Sequence, residues 1–224
     1  MIEEARVRPL AEQLFRKANG FEGATGKHAR MYETAEEVLL GIAGRDVEGF
    51  FCSFPPDHFK GGCVEIEGTR IHAAAFEQIP PGSVRRIWLY AITAGRAFDV
   101  PEDAAPLMER LYAYLWGTAY VDAGRLLLES DIKARAQAPL SPAFSPGFYG
   151  MDNTASGPII EYSGGGALGI ECHPSGVMTP IKTCSGVYLE AETDAFPGDE
   201  CLVCTGNPGG CSQCFIRNKR QVAI

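Results

Sequence analysis

The chain has no surplus of positive charge: Lys and Arg total 20 against 28 Asp and Glu, a formal net charge of −8 in 224 residues. Phosphate backbones are bound by basic stripes, and none is present, so nucleic acid is excluded as a partner. Long apolar runs are missing too. The most apolar stretch, Leu107 to Leu128, is broken by Glu109, Arg110, Asp122 and Arg125, which a membrane-spanning helix rarely carries. The first residues, MIEEARVRPLAEQ, hold two acids and no apolar core or small-residue cleavage site. The expectation is a cytoplasmic protein with no membrane partner. Repeats and low-complexity tracts are also lacking. With 46% hydrophobic and 21% charged residues, the composition is that of a globular domain.

What is abundant is Gly (26), Pro (15) and Cys (8), which predicts many turns and, in a reducing compartment, thiols that serve as ligands or pack in the core. Periodicity predicts a helix from Met1 to about Ala18, then a Gly-rich loop over Phe21 to His28. A second helix runs from Thr34, whose spacing to Glu37 is that of a capping box, to about Ala43, with Gly44 as its stop. Cys63 to Glu67 alternates as a strand, placing Glu65 and Glu67 on one solvated face. Arg70 to Phe76 reads equally as strand or short helix, and Arg86 to Ile92 suits a buried strand. The longest helix runs from Glu102 or Ala105 to Ala136. At ~100° per residue, Arg110, Asp122, Arg125 and Glu129 share one stripe, read as the solvated one, with Glu109 off it. After Pro139 the chain turns irregular, with strands at Ala167 to Cys172 and Lys182 to Leu189. Gly164 to Gly166 lack the spacing of a dinucleotide loop and read as a flexible connection.

Cys201-x-x-Cys204, six residues, then Cys211-x-x-Cys214 is the sharpest chemical signal. Two residues between cysteines let both thiolates face one ion, and the turn-rich loop Thr205 to Gly210 lets the second pair fold back on the first. Four converging sulfurs suit zinc or an iron–sulfur cluster. The short gap favours iron–sulfur, since zinc ribbons separate their pairs further; zinc, disulfides and unfilled thiols stay open. The other cysteines read as packing residues: Cys52 and Cys63 beside Asp57 and His58, and Cys172 and Cys184 within strands. Cys172 and His173, being adjacent on a strand, face opposite ways.

The segment Phe144-Ser145-Pro146-Gly147-Phe148-Tyr149 crowds three aromatics around a fixed and a permissive backbone angle. Such a loop either lays ring faces and amides against a planar ligand or is a tight turn pinned by core aromatics. With Ala167-Leu168-Gly169-Ile170, Met178-Thr179-Pro180 and Lys182-Thr183-Cys184-Ser185-Gly186 in order behind it, the segment resembles the reactivation domain of cobalamin-dependent methionine synthase. It resembles more closely the short stand-alone proteins that carry that domain alone. Ile87 to Ala94 and Gly117 to Asp122 fit the preceding part of the pattern, so the resemblance covers about Val64 to Glu190.

The resemblance implies an α+β fold with a bent antiparallel sheet and flanking helices over residues 1–195, followed by a cysteine-rich metal-binding tail at 196–224. It implies S-adenosylmethionine as a ligand, cobalamin met only through a corrinoid protein or corrinoid methyltransferase, and leaves a homodimer open. In the family's Arg-x-x-x-Gly-Tyr motif the glycine is Gly147, the tyrosine position is Phe148 and the arginine position is Ala143. Tyr149 offers a hydroxyl one residue late. No neighbouring cation in the sequence stands in for the missing guanidinium. Two functions follow: an accessory protein of corrinoid-dependent methyl transfer whose cysteines relay an electron, or a non-catalytic binding module with a zinc-stapled tail.

Overall fold

A computed structural model describes residues 1–192 and 196. The first helix, α1 (Glu4–Ala18), buries Val7, Ala11 and Phe15, a four-residue repeat that lines one face. The second, α2 (Gly26–Gly41), starts eight residues before the expected capping box. Thr34 lies mid-helix, where its hydroxyl donates back to the Arg30 carbonyl (3.1 Å) and needs no helix end. The helix stops at Gly41, three residues before Gly44.

Seven strands follow the same chain order, with two further helices between them. They are β1 (Glu48–Phe54), β2 (Cys63–Ile66), β3 (Thr69–His72), β4 (Val84–Thr93), α3 (Leu107–Lys133), α4 (Ser156–Ser163), β5 (Glu171–Cys172), β6 (Met178–Thr179) and β7 (Thr183–Ala191). The main sheet is antiparallel in the order β1-β4-β7, with β2-β3 and β5-β6 as separate hairpins. The undecided segment is both things in turn: β3, then a 3-10 turn over Ala74–Gln78. Glu65 and Glu67 do not share a strand, because β2 ends at Ile66 and Glu67 occupies the hairpin turn with φ +50°. The strand expected at Ala167 to Cys172 begins inside a 3-10 turn (Gly165–Leu168) and leaves only two strand residues, Glu171 and Cys172. Gly164 and Gly169, with φ +83° and +69°, bracket the turn and break any extended run. The helix α4, in a segment expected to be irregular, carries its proline in the first turn, where the missing N–H is harmless.

The sheet divides two cores. On one side Trp88, Tyr90, Ile92 and Tyr188 meet α1, α2 and α3. There the Trp116 ring stacks on Phe15 at 3.8 Å while its indole N–H donates to the Ala35 carbonyl (2.7 Å). On the other side Ile87, Leu89, Val187 and Leu189 pack with Phe76, Phe144, Met151 and Ile159. Gly124 lets α3 lie against Val47, whose Cγ1 would be 2.5 Å from an added Cβ.

After α3 the chain returns along β7 as a strap, paired at Leu140 with Glu190 and at Phe144 with Val187. Buried Glu190 fixes its start. The carboxylate accepts the Trp88 indole N–H (3.1 Å) and the amides of Gln137 (2.8 Å) and Ala138 (3.1 Å). Among the described residues, no helix is long and apolar enough to cross a membrane.

Candidate functional site

The loop Phe144–Tyr149 is built on β7. Phe144 exchanges both backbone hydrogen bonds with Val187 (2.9 and 2.8 Å), so the strap runs as a short extra strand until Ser145. It then crosses directly over Gly186. A Cβ on Gly186 would lie 2.6 Å from the Phe144 carbonyl oxygen, 2.8 Å from the Tyr90 ring and 2.9 Å from Ser145 Oγ. The glycine of the Ser185-Gly186 pair is therefore the floor on which the loop rests. The Ser145 hydroxyl shares a hydrogen bond with the Tyr90 hydroxyl (3.1 Å).

Beyond Pro146 the loop closes on itself. Gly147, at φ +86°, donates its N–H to the Met151 carbonyl (3.0 Å), and Phe148 donates to the Ser145 carbonyl (3.0 Å). Tyr149, at φ +57°, is buried against Phe144 at 4.9 Å, and its carbonyl accepts the Ala75 amide (3.1 Å). Phe148, by contrast, is 46% exposed. Phe144 and Tyr149 pin the loop to the core, as in a tight turn held by aromatics, while the Phe148 ring is left at the surface.

Ala143 and Cys184 both pack against the core that holds Tyr90 and Tyr188. Facing the same residues from α3 is a strip of charge that sequence periodicity places in water. Arg110, Asp122, Arg125 and Glu129 are all half-buried, while Leu107 (70%), Met108 (48%), Leu111 (44%) and Tyr114 (53%) are the large hydrophobic residues that α3 exposes. At its C-terminal end the stripe is turned inward where the Tyr188 hydroxyl of β7 gives Arg125 and Glu129 a polar partner, while Arg110 pairs with Glu102 (3.8 Å). Glu129 accepts the Tyr188 hydroxyl (3.1 Å) and Arg125 Nη1 (3.3 Å), and pairs with Lys133. Arg125 Nη1 also donates to the Tyr188 hydroxyl (3.3 Å).

Asp122, one turn earlier, makes no hydrogen bond among the described residues. Burial raises its carboxyl above the usual range, against the pull of Arg125 and Lys182. Lys182 is itself buried, with Nζ donating to Thr118 (2.9 Å) above the Tyr114 ring. Desolvation pulls its ammonium down to about 8 despite Asp99 and Asp122. Burial pushes the Cys184 thiol up to about 12, so it stays protonated beside Arg125 and Asp122. The signal that could have exposed this strip is in the sequence: three charges at i, i+3 and i+7 in a helix otherwise poor in charge, with large apolar residues on another face.

Of the remaining cysteines, Cys52 donates to the Tyr162 carbonyl (3.0 Å) and is pushed up to about 11 by burial; Cys63 is buried. Cys172 packs with Ile160 and Ile170 while His173 is exposed, as expected of strand neighbours. His58 Nδ1 sits 2.6 Å from the Glu65 carbonyl. Among the described residues, no three His, Cys, Asp or Glu side chains converge as a metal site. The expected ligands Cys201, Cys204, Cys211 and Cys214 lie outside the described residues. A cleft of about 380 Å³ between α2 and α3, lined by Val38, Ile42, Val100 and Ala113 with Glu37 and Glu109, shares no residue with the loop or the strip.

An antiparallel sheet with α1, α2 and α3 on one face and α4 on the other makes this an α+β domain. A solved structure with this architecture is the crystal structure of the MetH reactivation domain bound to AdoHcy. It is similar to this chain at 15% sequence identity and a TM-score of 0.53, over 74% of this chain and 66% of that one, a little under two thirds of its length. The likeness establishes the fold that the sequence resemblance implies. No family model and no curated protein matches the chain.

Proposed function

We propose that the protein is a cytoplasmic accessory protein of corrinoid-dependent methyl transfer. It docks on a cobalamin-carrying protein or corrinoid methyltransferase and assists its reductive activation, with an S-adenosyl ligand held at Phe144 to Tyr149. The observation that carries this reading is the crossing of Phe144 and Ser145 over Gly186 in a reactivation-type fold, which leaves the Phe148 ring uncovered. An exposed aromatic face on a loop whose base is fixed by strand pairing offers a stacking surface to a purine with little ordering penalty. Gly147 and Pro146 set the curvature, and the buried Tyr149 ring holds the loop against Phe144.

S-adenosylmethionine bound there supplies a methyl group on sulfur that reduced cobalt can accept. The chain's own part is to bind and orient that ligand beside the partner. Cys201, Cys204, Cys211 and Cys214 complete the reading: their thiolates would hold an iron–sulfur centre, which would supply the low-potential electron that cob(II)alamin needs. The competing reading, a binding module with a zinc-stapled tail, draws on Ala143 standing where the motif has arginine.

One experiment separates them. The protein is purified without oxygen, its metal and visible spectrum are measured, and it is then added to a corrinoid protein held as cob(II)alamin with S-adenosylmethionine and a reductant. Iron, a dithionite-bleachable colour and faster appearance of methylcobalamin are expected. One zinc, no colour and an unchanged rate overturn the redox role and leave the binding module.

A further inference from the structure

We infer that the cation lost from the loop at Ala143 has been relocated to α3: Arg125 receives the carboxylate of the ligand's amino-acid end and Asp122 its ammonium. This rests on the reading of the loop as an S-adenosyl site and adds which residues select that ligand. Arg125 is the right kind of group in the right neighbourhood. It contacts the Tyr188 hydroxyl, whose ring lies 5.1 Å from Tyr90, and Tyr90 in turn bonds Ser145 on the loop. Ala143 and Cys184 pack against the core cluster that contains both rings.

The guanidinium is only half used. Both of its hydrogen bonds leave from Nη1, at 3.3 Å each, and Nε and Nη2 make none among the described residues. A carboxylate is bound best by two parallel donors of one fork, which is what Nε and Nη2 provide. Glu129, accepting from Arg125, Lys133 and Tyr188, holds the other side of the fork in place.

Asp122 supplies the complement. It shares the α3 face with Arg125 at i, i+3, and side chains at that spacing lie about 5–6 Å apart at Cβ, within reach of two groups on one carbon. It is half-buried between two cations yet hydrogen-bonded to neither, so its oxygens are left for an incoming donor. A free α-amino acid group carries that pair of charges in adjacent positions. A nucleoside lacking it gains nothing from the strip.

The test is calorimetric binding of S-adenosylhomocysteine and of 5′-methylthioadenosine, which lacks the amino-acid end, to the full chain. The unaltered protein should bind S-adenosylhomocysteine about 10- to 100-fold more tightly, the range of one charge-assisted pair. Arg125→Met should abolish that preference while leaving 5′-methylthioadenosine affinity unchanged, Asp122→Asn should weaken it, and adding Ala143→Arg to Arg125→Met should restore it. Should Arg125→Met fail to fold, Arg125→Lys, which keeps a charge toward Glu129 and Tyr188, is judged by the same preference. Equal binding of the two ligands by the unaltered protein, or equal weakening of both in Arg125→Met, overturns the relocation while the S-adenosyl reading stands. Binding of neither ligand overturns that reading and the relocation with it.

Discussion

Replacing Gly186 by alanine tests whether the loop rests on the strand as described. Gly186 is not among the glycines with positive φ, so its backbone accepts alanine and only space decides the outcome. The new methyl would meet the Phe144 carbonyl oxygen at 2.6 Å, the Tyr90 ring at 2.8 Å and Ser145 Oγ at 2.9 Å. Tyr90 is fully buried and the carbonyl belongs to a strand-paired residue, so none of the three is a flexible chain end. Overpacking of this kind costs about 1–3 kcal/mol. If the strap lifts, the two Phe144–Val187 hydrogen bonds go as well, at about 1 kcal/mol each. The sum of about 3–5 kcal/mol corresponds to a fall in Tm of about 6–20 °C in a chain of this size. Thermal unfolding followed by circular dichroism measures it, with two controls. Ser185→Ala, at the adjacent position, removes a buried hydroxyl with no partner among the described residues and should leave Tm unchanged or higher. Gly41→Ala, with nothing within 4 Å at the end of α2, should do the same. A Gly186→Ala protein within 1 °C of the original refutes the crossing.

Three further outcomes follow from buried polar groups. Glu190→Gln turns an amide N–H₂ toward one of three donors that now share a carboxylate, and urea unfolding should show a loss of about 2–4 kcal/mol; a loss below about 0.5 kcal/mol would contradict the strap's anchoring. Lys182 has a folded value of about 8 against 10.5 unfolded, so the unfolded chain binds more protons between those values and this residue's unfavourable contribution fades as pH rises through them. Stability of the original relative to Lys182→Met should therefore climb from pH 8 to 10.5, and a flat difference in urea titrations refutes it. At pH 8 the Cys52 thiol, raised from 9.0 to about 11, should alkylate with iodoacetamide about 100-fold more slowly in the native than in the denatured chain, as peptide mass spectrometry reads out; equal rates would place it at the surface.

Elements set by a single local rule were legible in the sequence. β2, β4 and β7 follow from alternation and short apolar runs, and α3 from sheer length between Pro106 and the Pro139 region. What failed were features that depend on a partner. Thr34 and Glu37 have capping-box spacing, but a threonine hydroxyl is equally satisfied by the carbonyl four residues back. Ala167 to Cys172 has strand-like composition, but two left-handed glycines decide its path. At the site, the loop Phe144 to Tyr149 was legible because proline, glycine and aromatics carry their constraint locally. Arg125 was not, because the strip it belongs to turns inward only where α3 packs against Tyr188 of β7.

The inward turn of the α3 charges also bears on what the strip is for. Were its purpose only to fasten α3 to β7, its groups would be paired off as Glu129 is, with a tyrosine hydroxyl and two cations spent on one carboxylate. Asp122 breaks that pattern. Half-burial raises its carboxyl, so holding it there disfavours the fold, and neither neighbouring cation bonds it in return. Removing such a group ought to stabilise the free protein and weaken only a complex in which a donor reaches it. Asp122→Asn thus separates fastening from recognition: a lower Tm without ligand argues for fastening, whereas an equal or higher Tm with weaker S-adenosylhomocysteine binding argues that the charge is kept for a ligand.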